Sequence, residues 1–210
     1  MDTWGHTQKL LTAEFRTIET PNTETLYSMA VIDLENGPII VVHPDFGDRY
    51  FRTTVWDLHS ETHTISQKQD GHKPPPYAIV PVGWSGRIPA GVKSITIRSR
   101  YMLLAPHVAV CGDADLPSVH ALQKGLKVIA LSDWRKSNAE MKTGEPMRPI
   151  RRPGTATPTD LMFFEELGET LKDITVRDDE AGFARQLTTM ASLRGTAFNT
   201  RSLIRRPSQA

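Results

Sequence analysis

The first 110 residues alternate between short apolar runs and turn sequences, and this rhythm constrains the fold more than any other feature of the chain. Ile39–Val42 consists of four consecutive β-branched residues, a density that favours a strand over a helix. Segments rich in Gly, Pro, Asn and Asp, such as 35–38 and 44–48, separate the runs. The predicted strands are 25–33, 39–43, 49–65, 77–82, 93–98 and 101–110. We therefore predict a mainly β fold, a jelly-roll-like sandwich or barrel.

After residue 112 the pattern becomes helical. Asp115 and Pro117 suit the start of a helix over 118–127, and apolar spacing predicts further helices over 161–171 and 179–193. The polar segment 132–159 reads as a long loop, and 201–210 as a frayed tail. A chain of this length can bury one core. We expect a single domain over 1–210, with a β body over about 10–112 and a helical appendage over about 113–200.

Charge and composition argue against several classes of function. The chain carries 25 basic and 24 acidic residues, so its net charge of +1 gives no overall field to attract nucleic acid or an anionic membrane. A lone cysteine, Cys111, rules out an internal disulfide or a thiolate metal cluster. No apolar window approaches a membrane span of about 18 residues, and the first residues lack the pattern of a signal peptide. A cytoplasmic location is the default expectation. Nucleotide-binding glycine motifs and common hydrolase motifs are also absent from the sequence.

The stretch His-Ser-Glu-Thr-His at 59–63 concentrates the most chemistry. If 49–65 is one strand, its period of two places Asp57, His59, Glu61 and His63 on one face. An imidazole oriented by a carboxylate can act in acid–base catalysis, so these four are the candidate catalytic residues. A solvated, merely polar face is the alternative.

The same histidines also suggest a divalent metal, zinc or iron. Three consecutive residues on one strand face rarely all reach one ion, so a third ligand from a neighbouring strand is needed. His107 is the first choice to join His59 and His63, and His43 and Glu24 are further candidates. No cofactor is certain, because metal-free chemistry explains the pattern equally.

Substrate-binding candidates come from the rest of the β-rich half. Arg49 and Arg98 could hold an anionic group, and Tyr27 and Tyr101 could donate to a developing oxyanion. Asn22 belongs to a segment that is either a site loop or a structural turn, in which its side chain would bond the backbone two residues on.

Segment 21–28, Pro-Asn-Thr-Glu-Thr-Leu-Tyr-Ser, resembles the Pro-Asn-Asn-Asp-Thr-Leu-Tyr-Ser signature of a large microbial family of unknown function. Further similar motifs follow in order at 37–38, 44, 47–50, 57, 82–86, 89–92, 111–117, 163–164 and 195–198. The resemblance implies an all-β, jelly-roll-like body with appended helices. It implies no settled reaction. Members are usually the N-terminal half of a two-domain protein, so this chain resembles a free-standing short form. His59, Glu61 and His63 depart from the aromatic residues and Asn that the family tends to carry there.

These observations lead to two functional hypotheses. The preferred one is a small-molecule enzyme that performs hydrolysis, elimination or isomerisation in a jelly-roll pocket. The alternative is a non-catalytic module that binds a ligand or assembles, for example into a homo-oligomer through exposed apolar surface.

Overall fold

The prediction of a mainly β fold is confirmed. The computed structural model describes residues 4–16, 21–134, 136 and 174–192, with side chains described as far as residue 187. Its strands, in chain order, are β1 Gly5–His6, β2 Thr25–Asp33, β3 Ile39–Val42, β4 Phe51–Asp57, β5 Thr62–Ser66, β6 Tyr77–Pro81, β7 Lys93–Ile97, β8 Tyr101–Ala109 and β9 Lys127–Ala130.

The strands form two sheets that pack as a sandwich. One sheet has the order β1-β2-β8-β4-β5 and is antiparallel throughout, and the other has the order β7-β6-β3-β9. In the second sheet β6 and β7 run parallel, whereas β3 is antiparallel to both of its neighbours. Within the described residues both sheets are open, so the sandwich alternative describes the fold.

A single apolar core lies between the sheets. Alternate residues of β2, including Leu26, Ala30 and Ile32, are fully buried, as strand periodicity requires. They belong to the same buried cluster as Ile79 and Ile97 of the second sheet. The alternation read from the sequence therefore decides which face of each strand points inward.

The helices that the structure describes are α1 Gln67–Asp70, α2 Leu116–Lys124 and α3 Ala181–Ser192. Helix α2 matches the predicted helix at its start, but it ends three residues earlier, because 127–130 form β9 and pair with β3. Gly125 makes this exit possible, since a Cβ at that position would lie 2.8 Å from Cβ of Pro44. The β body thus extends beyond residue 112 to Ala130. The predicted helix over 161–171, most of the 132–159 loop and the 201–210 tail lie outside the described residues. No helix among those described is long and apolar enough to cross a membrane.

The prediction of one long strand over 49–65 is wrong, because the segment is a hairpin of β4 and β5. Asp57 shapes the turn. The backbone N–H groups of His59 and Glu61 both donate to its Oδ1, at 2.9 and 3.0 Å. Ser60 takes a left-handed conformation with φ of 61°. Asn, Asp or Gly would announce such a residue, but serine does not, so the sequence hides the reversal.

A second polar group, His43, is buried within the core. Its Nε2 lies 2.8 Å from Thr53 Oγ1, and Phe46 and Phe51 flank the ring. Burial lowers the pKa of His43 from 6.5 to about 4, although nearby Asp70 opposes the shift. The ring is therefore neutral in the folded protein near pH 7.

The buried ring of His43 should make stability depend on pH. Between pH 6.5 and 4 the unfolded chain binds a proton at this residue and the folded chain does not, so the contribution is complete above 6.5. The free energy of unfolding should fall as pH is lowered through that window, by up to about 3 kcal/mol. Urea unfolding of the wild type and of His43→Gln at several pH values measures the difference. An unchanged pH slope in the variant would contradict the assignment, and His72→Gln, at an exposed histidine, is the matched control.

Removing the Asp57 carboxylate should destabilise the hairpin. In Asp57→Ala the two N–H groups that Asp57 accepts lose their partner at a buried position, so we expect a loss of about 1–3 kcal/mol in unfolding free energy. Asp57→Asn keeps an acceptor oxygen and should lose much less. The matched control is Asp45→Ala, because Asp45 makes a similar turn contact to Gly47 N–H at an exposed position where water can replace it. Equal losses in Asp57→Ala and Asp57→Asn would show that the turn contacts are not what Asp57 provides.

Candidate functional site

The tip of the β4–β5 hairpin holds three of the four predicted catalytic residues, but in structural roles. Asp57 is consumed by the turn, as described above. Glu61 forms an ion pair with Arg177, and its Oε2 lies 4.0 Å from Nε of Arg98. His59 Nδ1 lies 3.6 Å from an Oε2 of Glu180. The tip therefore links the hairpin to the segment that precedes α3.

His59 is the most enclosed group at this tip. Its side chain is only 11% exposed, and its Nε2 is buried without a hydrogen-bond partner. The backbone supports the same junction, because Thr175 N–H donates to the carbonyl of Arg98 at 2.8 Å and Ser99 pairs with Ile174. A cluster in which opposite charges already satisfy each other is typical of a structural junction.

The three histidines proposed as metal ligands do not share a place. His63 pairs in register with Val55, whose side chain is in the core. His107 pairs with Arg52, one position out of phase, so it projects from the opposite face of the same sheet. One ion cannot bind both. Among the described residues, no group of three His, Cys, Asp or Glu side chains is arranged to hold a metal.

Two of the predicted substrate-binding residues have clear structural partners. Asn22 Oδ1 accepts from the N–H groups of Glu24 and Thr25, at 2.9 and 3.0 Å, which is the structural-turn alternative. Arg49 binds Asp115 through both of its terminal nitrogens, and it also donates to the carbonyl of Ala109 at 2.8 Å. Tyr101 lies under the guanidinium of Arg100, 4.9 Å from it to the ring centre. These positions are explained by the fold.

Two other predicted residues, Tyr27 and His107, do come together, on the outer face of the five-stranded sheet. They are register partners on β2 and β8, and their ring centres are 4.2 Å apart. Arg52 is the register partner of His107 on β4. Three adjacent strands thus place a phenol, an imidazole and a guanidinium in one row across the sheet.

Next to this row the outer face becomes shallow. The register partners Thr54 and Ala105 follow it along β4 and β8, and both small side chains are buried. The next pair, Trp56 and Leu103, is large and half-buried. Residues of one face recur about every 6.7 Å along a strand, so the two large rows lie about 13 Å apart with a low floor between them. We call this set the outer-face site: Tyr27, Arg52, Thr54, Trp56, Leu103, Ala105 and His107.

The electrostatics of the outer-face site come from one cation. Arg52 is exposed, and the one hydrogen bond it makes within the described part of the chain is a 3.5 Å contact to Thr64 Oγ1. Burial lowers the pKa of His107, and the positive charge of Arg52 lowers it further. His107 is therefore neutral near pH 7. Its Nε2 is buried and has no hydrogen-bond partner.

Sequence reasoning found Tyr27 and His107 but missed the rest of the outer-face site. Arg52, Thr54 and Trp56 alternate along a predicted strand, so a shared face was readable from the sequence. The partner strand and its register were not, because β4 and β8 are about fifty residues apart. Residues that meet only through pairing of distant strands leave no local signal.

Comparisons with known proteins give a fold and a family. No curated protein matches the sequence. The crystal structure of the VPA0106 protein from Vibrio parahaemolyticus is similar over 83% of this chain and 42% of that chain, with 21% identity and a TM-score of 0.62. At that identity the likeness shows the fold alone, and this chain spans less than half of the length of the other.

The resemblance noted from the sequence, to a family of unknown function, agrees with a match of this chain to a family model. That model matches residues 1–130, more than half of the chain. The chain therefore belongs to the family described as "Protein of unknown function (DUF1254)".

Proposed function

We propose that this chain binds a small organic molecule at the outer-face site. One observation carries the proposal: Arg52 and His107 face each other in register, neither with a charged partner among the described residues, directly beside the low floor of Thr54 and Ala105. Ligand sites combine apolar walls with a few convergent polar groups. The outer-face site has both, with Trp56 and Leu103 as the apolar wall.

The hairpin tip supports the proposal less well, although the sequence favoured it. A catalytic carboxylate must be available to a substrate or to an imidazole. Asp57 accepts two backbone N–H groups and Glu61 is paired with Arg177, so both are already engaged. The hydrolase, lyase or isomerase chemistry expected from His59, Glu61 and His63 would first have to break these contacts.

A catalytic form of the outer-face site is the second candidate, and one observation favours it. His107 is kept neutral by burial and by Arg52, which is the state that a general base needs. Tyr27, 4.2 Å away between ring centres, is the nearest group that could exchange a proton with a bound molecule. Once a ligand is known, NMR in heavy water would report proton exchange or product. His107→Gln should abolish either signal.

Ligand-observed NMR with a library of small fragments tests the binding proposal. Fragments that bind the wild type should lose affinity at least tenfold in Ala105→Leu, because the larger side chain fills the floor between the two rows. Trp56→Ala should weaken the same fragments by removing a wall. Thermal unfolding must show that both variants remain folded.

Ala121→Leu is the matched control, since it makes the same chemical change at an exposed position of α2. It should leave every fragment bound. The proposal fails if no fragment binds the wild type, or if bound fragments are unaffected by both Ala105→Leu and Trp56→Ala.

A further inference from the structure

We infer that the ligand of the outer-face site is a small monocarboxylate with a flat apolar body, whose carboxylate pairs with Arg52 and whose body lies over Thr54 and Ala105. The inference rests on the proposed function and adds the chemical class of the ligand. It follows from three features of the site: the charge at one end, the shape of the floor and the chemistry of the walls.

The charge argument starts from how the other arginines of this region are used. Arg49 is paired with Asp115, Arg177 with Asp179 and Glu61, and Arg100 with Asp33 and Glu35. Arg52 departs from this pattern, because within the described part of the chain its guanidinium meets no carboxylate. A guanidinium presents a planar fork of donors that matches a carboxylate. An external carboxylate would give Arg52 the partner that the other three arginines find in the protein.

The number of charges favours a monoanion. Arg52 is the single cation of the row, because His107 is neutral next to it and Tyr27 carries no charge near pH 7. Phosphate groups are usually held by several cations or by a cluster of backbone N–H groups. A row in the middle of a sheet offers few such N–H groups, since the ladder uses them.

Shape determines the body of the ligand. The floor spans β4 and β8, which are about 4.8 Å apart, and it extends about 13 Å between the two large rows. Thr54 and Ala105 are too small to fill it. One ring or two fused rings fit this area lying flat, with one edge toward Arg52 and the other toward Trp56 and Leu103.

The walls favour a ring over a flexible chain. Tyr27 and His107 stack as a tilted aromatic pair at one end, and Trp56 supplies an indole at the other. Aromatic faces and edges attract a second ring beyond the gain from burial alone. A rigid body also loses less conformational freedom on binding than a flexible one.

The test uses four probes and three variants. Benzoate and 2-naphthoate are compared with their neutral amides, benzamide and 2-naphthamide, by NMR titration of the full chain in a buffer without carboxylate or phosphate. Both carboxylates should bind the wild type and the amides at least tenfold more weakly. Arg52→Gln should weaken the carboxylates at least tenfold and leave the amides unchanged. Arg87→Gln, at an exposed arginine outside the site, should change nothing. Ala105→Leu should weaken carboxylates and amides alike.

Different failures point to different errors. Amides that bind as tightly as the acids, and are lost in Ala105→Leu, would overturn the carboxylate class while the binding site stands. Carboxylates that respond equally to Arg52→Gln and Arg87→Gln would show a general charge effect and overturn the inference. Absence of binding by all four probes would overturn the class, and if the fragment library also gives nothing, the binding function falls with it. Inorganic phosphate that displaces 2-naphthoate at equal concentration would replace a monocarboxylate with a phosphate as the ligand class.

Discussion

The pairing of β8 with both β2 and β4 is the interaction on which the rest of the structure depends. β8 lies at the centre of its sheet and is hydrogen-bonded along its length on both sides. Met102, Leu104 and Val108 on its inner face are in the core, while Leu103, Ala105 and His107 face outward. A slip of one residue in its register would exchange these two sets. The core therefore fixes the outer row as firmly as it fixes itself, although the outer side chains add little to that stability.

The two faces of this strand were not equally readable from the sequence. Strand positions follow from local alternation, and β2 was predicted with the bounds it has in the structure. The inner face follows as well, because its residues are apolar. The outer row depends on which strands are neighbours and in what register, which is set by contacts between distant segments. Arg52 and His107 meet for that reason alone. Tyr27 and His107 were chosen from the sequence for different reasons, and nothing local suggested that they would stack.

The hairpin tip shows the opposite kind of error. A run of alternating His, Glu and His looked like one strand face, but a polar side chain at Asp57 could close a turn around its own backbone. The chemistry-bearing residues were then used to join the hairpin to the segment before α3. Polar residues close together in sequence are ambiguous in this way, because the same hydrogen-bonding capacity serves a turn, an ion network or a substrate. Only the position of the backbone decides between them.

The position of β9 has a consequence for how the chain is made. β3 is hydrogen-bonded to β6 on one side and to β9 on the other, and β9 arrives only after α2, near residue 130. During synthesis the apolar strand Ile39–Val42 waits with an open edge while more than eighty residues emerge from the ribosome. An unpaired apolar edge is a template for association between chains. The matched family segment ends at the last residue of β9, so the unit shared by the family is also the shortest nascent chain in which that edge is sealed.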